Sequence, residues 1–466
     1  MYAPNLFTYV AMYGFLVYAV YLFSKYPLRS AIVTVVITGW IFLPQAKLAI
    51  PHIPYHTSTN AISMAVLLGV VWKEPNVFKK FRFSWVDIPM ACWCFAPLFS
   101  SITNDLGVYD GLNGIEFQTV DYGIPYLIGR LYFGTYKALD ELAIGMVIGA
   151  VVLLPLVLIE LKISPQLHTK VYGWYPHDFI QSMRDGAYRP SVFMSHGLEL
   201  AIWNAAAAFA GWQLFLRKVI PKKLPLLGIP TMISLTILTI ALALSHSTGA
   251  LALFLIAMLV FQIVSMFRSK LPLIIILLVP LLYMSLRGTG AWSGDNLLRI
   301  SIQLSGSEER GRSLKARFDN EKILVEKASV RLPFGWGPYQ RSFVTDSFGN
   351  YISVPDGRWV VVLGENGLFG LASFSAFMLL PALLYFIKIP IKEFADKDFA
   401  SASAFALCLC MTMIDNMFNA MSNPVLIFAA GGLLTLVLSP KSMSVKGQDG
   451  NVQVSELVLI PGTRTI

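Results

Sequence analysis

The sequence predicts an all-α polytopic integral membrane protein with about 12–13 transmembrane helices. Of its 466 residues, 56% are hydrophobic and only 14% are charged, and the mean hydropathy is +0.62. A soluble protein carries roughly 25% charged and 45–50% apolar residues. Such a surplus of apolar side chains cannot be buried in one aqueous core, so lipid must contact much of the surface.

Apolar runs of sufficient length mark the individual spans. A helix crosses a bilayer with roughly 20 apolar residues. A weaker candidate, 120–136, contains Arg130 and is interrupted by Pro125. The clear candidates are 5–23, 30–46, 58–72, 84–102, 142–159, 191–216, 224–244, 248–267, 271–286, 359–387, 399–418 and 424–439.

Basic residues in the short loops predict the orientation of the helices. Cytoplasmic loops are enriched in Lys and Arg, and alternate short loops hold 16 of them against five in the loops between. The alternation is consistent only if 120–136 is a span. We therefore expect the basic loops in the cytoplasm, the N-terminus outside and the tail from Lys441 in the cytoplasm. This distribution accounts for the net charge of +9 without a nucleic-acid partner.

The spans divide the chain into six regions. We expect N-terminal transmembrane helices over 1–160, an outward loop over 161–190, central helices over 191–286, a large outward loop over 287–358, C-terminal helices over 359–439 and a cytoplasmic tail over 440–466.

The second outward loop, 287–358, is more than a connector. It has 72 residues, with eleven Lys/Arg and eight Asp/Glu, and separates the tenth and eleventh spans. Its spacing of apolar residues predicts an amphipathic helix along the outer membrane surface, interrupted by Glu321. The apolar stripe of that helix consists of Leu314, Phe318, Val325, Ala328 and Leu332.

Ionisable residues near the outward ends of the spans are the candidates for chemistry. His196 and Glu199 are three residues apart, so they share one helix face, and charges at membrane depth usually face a cavity or a partner. An alternative is almost as well supported: His196 and Glu199 hydrogen-bond to each other and serve only to tighten helix packing. The run from Glu308 to Arg317 gathers several guanidinium groups, which suit a diphosphate because arginine binds phosphate through two parallel hydrogen bonds.

Further candidates surround the start of the eleventh span. Asp356, Arg358 and Glu365 are expected near its outer mouth, and the glycines of the segment 331–337 predict a sharp turn. The sequence has no Walker loop, dinucleotide fingerprint or zinc-protease motif. We therefore expect neither a cofactor nor a metal ion.

Four motifs occur in an order that resembles the O-antigen ligase and O-antigen polymerase superfamily of bacterial envelope glycosyltransferases. The resemblance covers roughly residues 185–385, and each motif alone is short. The motifs are Arg189-Pro190 followed by His196-Gly197, the junction Ser245-His-Ser-Thr-Gly-Ala250, the loop with Arg312 that leads to Pro333-Phe-Gly-Trp-Gly337, and Glu365-x-Gly-x-x-Gly370.

The resemblance implies a GT-C-like, metal-independent transferase in the bacterial inner membrane, with its active site facing the periplasm. Members take a glycan from undecaprenyl diphosphate; ligases transfer it to lipid A-core, and polymerases to another lipid-linked repeat. Arg189 and Arg312 match the family arginines thought to hold the diphosphate. Many ligases carry His-Asn where this chain has Asp356-Gly357, and many members carry arginine where Thr248 stands. These departures favour a polysaccharide polymerase over a ligase.

The chemistry of the reaction assigns a role to each candidate. Arg189 and Arg312 are expected to bind the diphosphate, assisted by Arg317 and Arg358, since fixed cations stabilise a leaving group. Attack by the acceptor hydroxyl would invert the anomeric centre, and an apolar cavity between spans would hold the polyprenyl tail. Other proteins of envelope polysaccharide assembly are candidate partners. The candidates for the general base are Asp356, Glu365 and His196.

Two other classes of function are compatible with the same sequence. A lipid-linked oligosaccharide flippase or other transporter fits many spans and intramembrane charges, although no internal repeat is evident between the two halves. A scaffold of an envelope complex would use the outward loops for docking. For a scaffold, exchanging arginine for lysine at 189 and 312 would be harmless, whereas bidentate phosphate binding predicts a severe loss.

Overall fold

The chain folds into helices joined by loops of varied length, as a computed structural model shows for residues 4–50, 53–184, 186–305 and 308–439. The α-helices are α1 (Leu6–Lys25), α2 (Leu28–Phe42), α3 (Ser58–Lys73), α4 (Ile88–Thr103), α5 (Val108–Gln118), α6 (Ile124–Tyr132), α7 (Tyr136–Ile163), α8 (Leu167–Tyr172), α9 (Gly197–Leu216), α10 (Thr231–Leu244), α11 (Thr248–Phe267), α12 (Leu271–Gly288), α13 (Asp295–Ser305), α14 (Glu308–Ser329), α15 (Arg358–Lys388), α16 (Ala400–Asp415) and α17 (Pro424–Leu438).

Two small sheets, each an antiparallel pair of strands, lie within the described ranges. Strand β1 (Lys47–Ile50) pairs with β2 (Ile53–Thr57), and β3 (Met183–Arg184) pairs with β4 (Ala187–Tyr188). Both connect helices. The second lies directly before the Arg189 segment and brings Arg189 back toward Ser182, whose carbonyl accepts the Arg189 backbone N–H at 2.8 Å.

The length and composition of several helices are those of membrane-spanning segments. Among the described residues, seven helical segments are long and apolar enough to cross a bilayer, and four further apolar helices are shorter. The seven are Leu6–Lys25, Trp85–Thr103, Tyr136–Ile163, Thr248–Phe267, Leu271–Gly288, Arg358–Lys388 and Lys397–Asp415. The all-α membrane class is therefore confirmed, and the larger count of 12–13 spans stays a prediction.

The weakest expected span, 120–136, has an irregular backbone. Residues Thr119–Gly123 form a π-helical turn between α5 and α6, and α6 itself has nine residues. Small residues allow α6 to lie against α17: a Cβ on Gly432 would come within 2.6 Å of the Phe133 carbonyl oxygen. Close approach through glycine is typical of helix packing in membranes.

Arg130, in α6, has a structural role. Its Nε donates to Asp87 Oδ1 at 2.8 Å, and its Nη1 donates to Thr435 Oγ1 at 2.6 Å. Tyr126 donates its hydroxyl to the same Asp87 oxygen at 2.7 Å. A charge removed from water is tolerated when it is paired and hydrogen-bonded, so this group ties α6 to α17 and to the segment before α4.

Helix α15 is broken at Gly367, where φ is 64° and ψ is −163°. The loop 331–337 fills the break with four backbone hydrogen bonds. Trp336 and Gly337 donate to the carbonyls of Gly364 and Glu365 at 2.8 and 2.9 Å, and the amides of Leu368 and Phe369 donate to the carbonyls of Leu332 and Pro333 at 2.7 and 3.1 Å. The turn motif and the Glu-x-Gly motif of the sequence therefore form one structural unit.

We expect Gly367→Ala to destabilise the fold, because only glycine readily adopts this backbone conformation. The strain costs about 1–3 kcal/mol, and the new Cβ would lie 2.5 Å from the Pro333 carbonyl carbon. Thermal unfolding in detergent measures the effect. Gly14→Ala in α1 is the matched control, since nothing lies within 4 Å of the position that its new Cβ would take. That change should be neutral or stabilising by about 0.5–1 kcal/mol, and equal melting of the two variants would contradict the expectation.

Candidate functional site

Four helix ends lie close together around the segment that follows α16. The N-termini of α9, α15 and α17 lie beside the C-terminal end of α16. A Cβ on Gly357 would come within 2.5 Å of the Met417 carbonyl oxygen, and the Arg358 amide donates to the Asn419 carbonyl at 3.0 Å. Helix N-termini favour anions because their first amides have no partner within the helix.

Arg317 and Arg358 both reach the segment that follows α16. Arg317 Nη1 donates to the Phe418 carbonyl at 2.9 Å and to Asn419 Oδ1 at 3.2 Å. Arg358 Nη2 donates to the Ala420 carbonyl at 3.2 Å. Two guanidinium groups from separate parts of the chain are therefore held by one short stretch of backbone.

Arg189 lies in the loop between α8 and α9. Its side chain is 8% exposed, and its Nη2 donates to the His246 carbonyl at 3.0 Å. The aliphatic part of Arg189 packs on Gly197, where any Cβ would collide with it. Gly197 in the His196-Gly197 motif therefore makes room for the arginine.

The surroundings of the His196 imidazole include both Arg189 and Arg317. Both guanidinium groups lie within electrostatic range of its imidazole, and the His177 ring is 4.2 Å away, centroid to centroid. Burial is the main cause that lowers the pKa of His196 to about 3, and the nearby His177, Arg189 and Arg317 contribute to this shift. His196 is therefore neutral at physiological pH.

His196 also caps helix α9. Its Nδ1 accepts the Leu198 backbone N–H at 3.0 Å, so the ring proton lies on Nε2. That nitrogen faces Gln181 Oε1 at 3.3 Å. With one nitrogen occupied and the other protonated, the ring is arranged to donate a hydrogen bond.

Asp356 stands directly before α15 and faces Arg317. Its Oδ2 lies 3.7 Å from Arg317 Nε, and 37% of its side chain is exposed. Burial raises the pKa of Asp356, while the positive charge of Arg317 opposes this shift. The residues Tyr283, Glu321, Met417 and Phe418 share a small cleft with this pair.

Glu365 belongs to a second polar group around Arg358. The Arg358 guanidinium lies within electrostatic range of Glu365, Asp121 and Glu199. Glu199 is already satisfied, since it accepts the backbone N–H and the hydroxyl of Ser195 at 2.8 and 2.7 Å. The sequence also allowed a pair of His196 and Glu199 that satisfy each other. In the structure, Glu199 instead binds Ser195.

Asp121 is the site residue that the sequence did not indicate. It lies in the π-helical turn, and its Oδ1 is buried without a hydrogen bond in the described part of the chain. π-Helical turns are frequent at functional sites. An acid within a weak apolar segment is the signal that could have identified it.

Arg312 is more exposed to solvent than the other candidate arginines. It is exposed and precedes Arg317 by five residues in α14, so the two side chains point about 140° apart around the helix. Arg189, Arg317 and Arg358 each donate a side-chain hydrogen bond to a backbone carbonyl. Within the described ranges, no such hydrogen bond is found for Arg312. The arginine of α14 that faces the site is Arg317.

The site shows no arrangement for a metal ion. Within residues 4–50, 53–184, 186–305 and 308–439, no group of three or more His, Cys, Asp or Glu side chains is placed to bind one. The four cysteines are free thiols, three of them buried.

Comparison of the chain with models of known protein families finds no match, and comparison with curated proteins finds none either. The resemblance to the O-antigen ligase and polymerase superfamily therefore stays a hypothesis that depends on the sequence motifs.

Proposed function

We propose that this protein is a membrane glycosyltransferase that transfers a glycan from an undecaprenyl-diphosphate carrier to a sugar hydroxyl, extending an O-antigen-like or exopolysaccharide chain. The observation that carries the proposal is that Arg317 and Arg358, from two separate segments, bind the same short stretch of backbone beside Asp356. Arg189 lies within electrostatic range of His196, as Arg317 does, and Glu365 lies within electrostatic range of Arg358. Cations and carboxylates in one site suit a reaction with an anionic leaving group and a hydroxyl nucleophile.

The arginines would stabilise the leaving diphosphate. A sugar linked to a diphosphate is already activated, so the protein must mainly neutralise the charge that develops as the bond breaks. Arg189 and Arg317 both act on the region around His196, and the α9 N-terminus adds its positive end. His196 Nε2–H would donate to a phosphate oxygen. Arg312, exposed on α14, would contact the substrate only at the outer edge of the site.

A carboxylate would activate the acceptor. The acceptor hydroxyl transfers its proton to Asp356 or Glu365, its oxygen forms the new bond to the anomeric carbon, and the bond from that carbon to the diphosphate oxygen breaks. The products are a lengthened glycan with inverted configuration and free undecaprenyl diphosphate. Asp356 is the stronger candidate of the two, because it is partly exposed beside Arg317.

The wider setting follows from the same proposal. A GT-C-like fold with 12–13 spans would stand in the bacterial inner membrane, with Asp356 and the three arginines on the periplasmic side. Transfer to lipid A-core, as in an O-antigen ligase, uses the same leaving group and differs only in the acceptor. Asp356-Gly357, in place of the His-Asn of many ligases, favours the polymerase.

Purified protein in liposomes with a synthetic undecaprenyl-diphosphate oligosaccharide tests the proposal. We expect longer lipid-linked glycans and one released carrier diphosphate for each bond formed, with EDTA present throughout. If the oligosaccharide instead moves across the bilayer without release of carrier diphosphate, the protein is a flippase and the proposal is wrong.

A further inference from the structure

Glu321 lies at the centre of a buried hydrogen-bond network that borders the cleft of Asp356 and Arg317. Its carboxylate accepts the Tyr283 hydroxyl at 2.9 Å, the Trp359 indole N–H at 3.1 Å and the Nε–H of Arg287. Glu321 is 7% exposed. One carboxylate thus joins three helices: α12 through Arg287 and Tyr283, its own helix α14, and the first turn of α15.

Arg287 extends the network along α14. Its Nη2 donates to the Phe318 carbonyl at 3.0 Å, and its Nη1 donates to the Ser293 carbonyl at 2.6 Å. The guanidinium carbon also lies 4.7 Å from the centre of the Phe318 ring. Helix α14 is therefore held against α12 by an ion pair, by backbone contacts and by an aromatic ring.

Glu321 is close in structure to two arginines of the site, Arg317 and Arg358. Arg317 precedes Glu321 by four residues on α14, so the two side chains share one helix face. Trp359, which donates to Glu321, follows Arg358 directly in α15. Glu321 therefore connects the helix of Arg317 with the helix of Arg358 through the Trp359 hydrogen bond.

We propose that Glu321 is a positioning residue: by joining α12, α14 and α15 it holds Arg317 and Arg358 at the spacing that a diphosphate requires. This inference rests on the proposed function for the identity of the ligand. It also explains why an acid interrupts the apolar stripe of α14, of which Phe318 and Ala328 are buried. Helix α14 packs against α12 and α15, and the ion pair of Glu321 with Arg287 lies in its buried face.

The chain offers a matched control in Asp87. Its ion pair with Arg130 is as deeply buried as that of Glu321 with Arg287, and it too accepts a tyrosine hydroxyl. Asp87→Asn and Glu321→Gln each remove one charge from a buried pair and should destabilise the protein comparably. The two variants differ in that only Glu321 joins helices that carry site arginines.

The experiment compares wild type, Glu321→Gln and Asp87→Asn in detergent at a temperature where all three remain folded. Hydrogen exchange of α14 amides is measured first, followed by binding of farnesyl diphosphate. We expect faster exchange in α14 and roughly 100-fold weaker binding for Glu321→Gln, with both properties unchanged in Asp87→Asn. Glu321→Asp, which keeps the charge, should restore part of the binding.

Three results overturn the inference: unchanged α14 exchange in Glu321→Gln, the same loss of binding in Asp87→Asn, or faster α14 exchange without weaker binding. Failure of the proposed function has a different signature. In that case wild-type protein does not bind the diphosphate at all, and the exchange data alone decide whether Glu321 holds α14 in place.

Discussion

Replacing Arg317 with alanine is expected to lower glycan transfer about 10²–10³-fold, because a fixed donor to the leaving group is lost. Arg317→Lys should also be severely impaired, since a single ammonium group cannot form two parallel hydrogen bonds to a phosphate. Transfer is measured as longer lipid-linked glycan per unit of purified protein. Thermal unfolding of each variant separates loss of activity from loss of the fold.

Arg312→Ala is the control for this prediction. Arg312 is on the same helix and carries the same charge, but it is exposed and points away from the direction of Arg317. We expect a change of less than about tenfold, as for a cation at the edge of a site. A larger loss of activity for Arg312→Ala than for Arg317→Ala would contradict this expectation. It would show that Arg312, the arginine indicated by the family motif, binds the diphosphate.

Removing the catalytic carboxylate should have the second large effect. A general base contributes typically 10²–10⁴-fold, so Asp356→Asn is expected to lose that factor in kcat while the protein still binds the diphosphate. Glu365→Gln, assayed in parallel, decides between the two carboxylates. Normal turnover in both variants would exclude base catalysis by either residue.

The pH dependence of transfer provides a separate check on Asp356. A general base acts only when deprotonated, so activity falls as the pH decreases through its pKa. Burial raises the pKa of Asp356, and the loss should therefore begin at a higher pH than for an ordinary aspartate near 3.9. Arg317→Gln removes the opposing positive charge and should move the acid limb to still higher pH. An acid limb that stays in place would contradict this assignment.

The helices could be predicted because lipid imposes a simple rule on the sequence. Each span must satisfy its backbone internally and present apolar side chains, and every expected span coincides with a helix in at least part of its length. The irregular places could not be predicted. The π-helical turn at Thr119–Gly123 and the break at Gly367 depend on contacts with distant segments, such as the loop 331–337, that no local pattern encodes.

Residue types indicated the site, but the sequence left their orientation open. Arg312 and Arg317 are equivalent by composition, and only the rotation of α14 separates them. Glu321 interrupted an apolar stripe, and its partner Arg287 lies 34 positions earlier. Asp121 belonged to the weakest predicted span. In each case the decisive contact comes from a remote part of the chain, which sequence spacing cannot show.

The most direct test of the central claim measures the affinity of wild type, Arg189→Ala and Arg317→Ala for farnesyl diphosphate and for farnesyl monophosphate. If guanidinium groups from two separate segments hold one diphosphate, wild type should prefer the diphosphate by about tenfold or more, and each variant should lose that preference. Equal affinities of all three proteins for the two ligands would contradict the account.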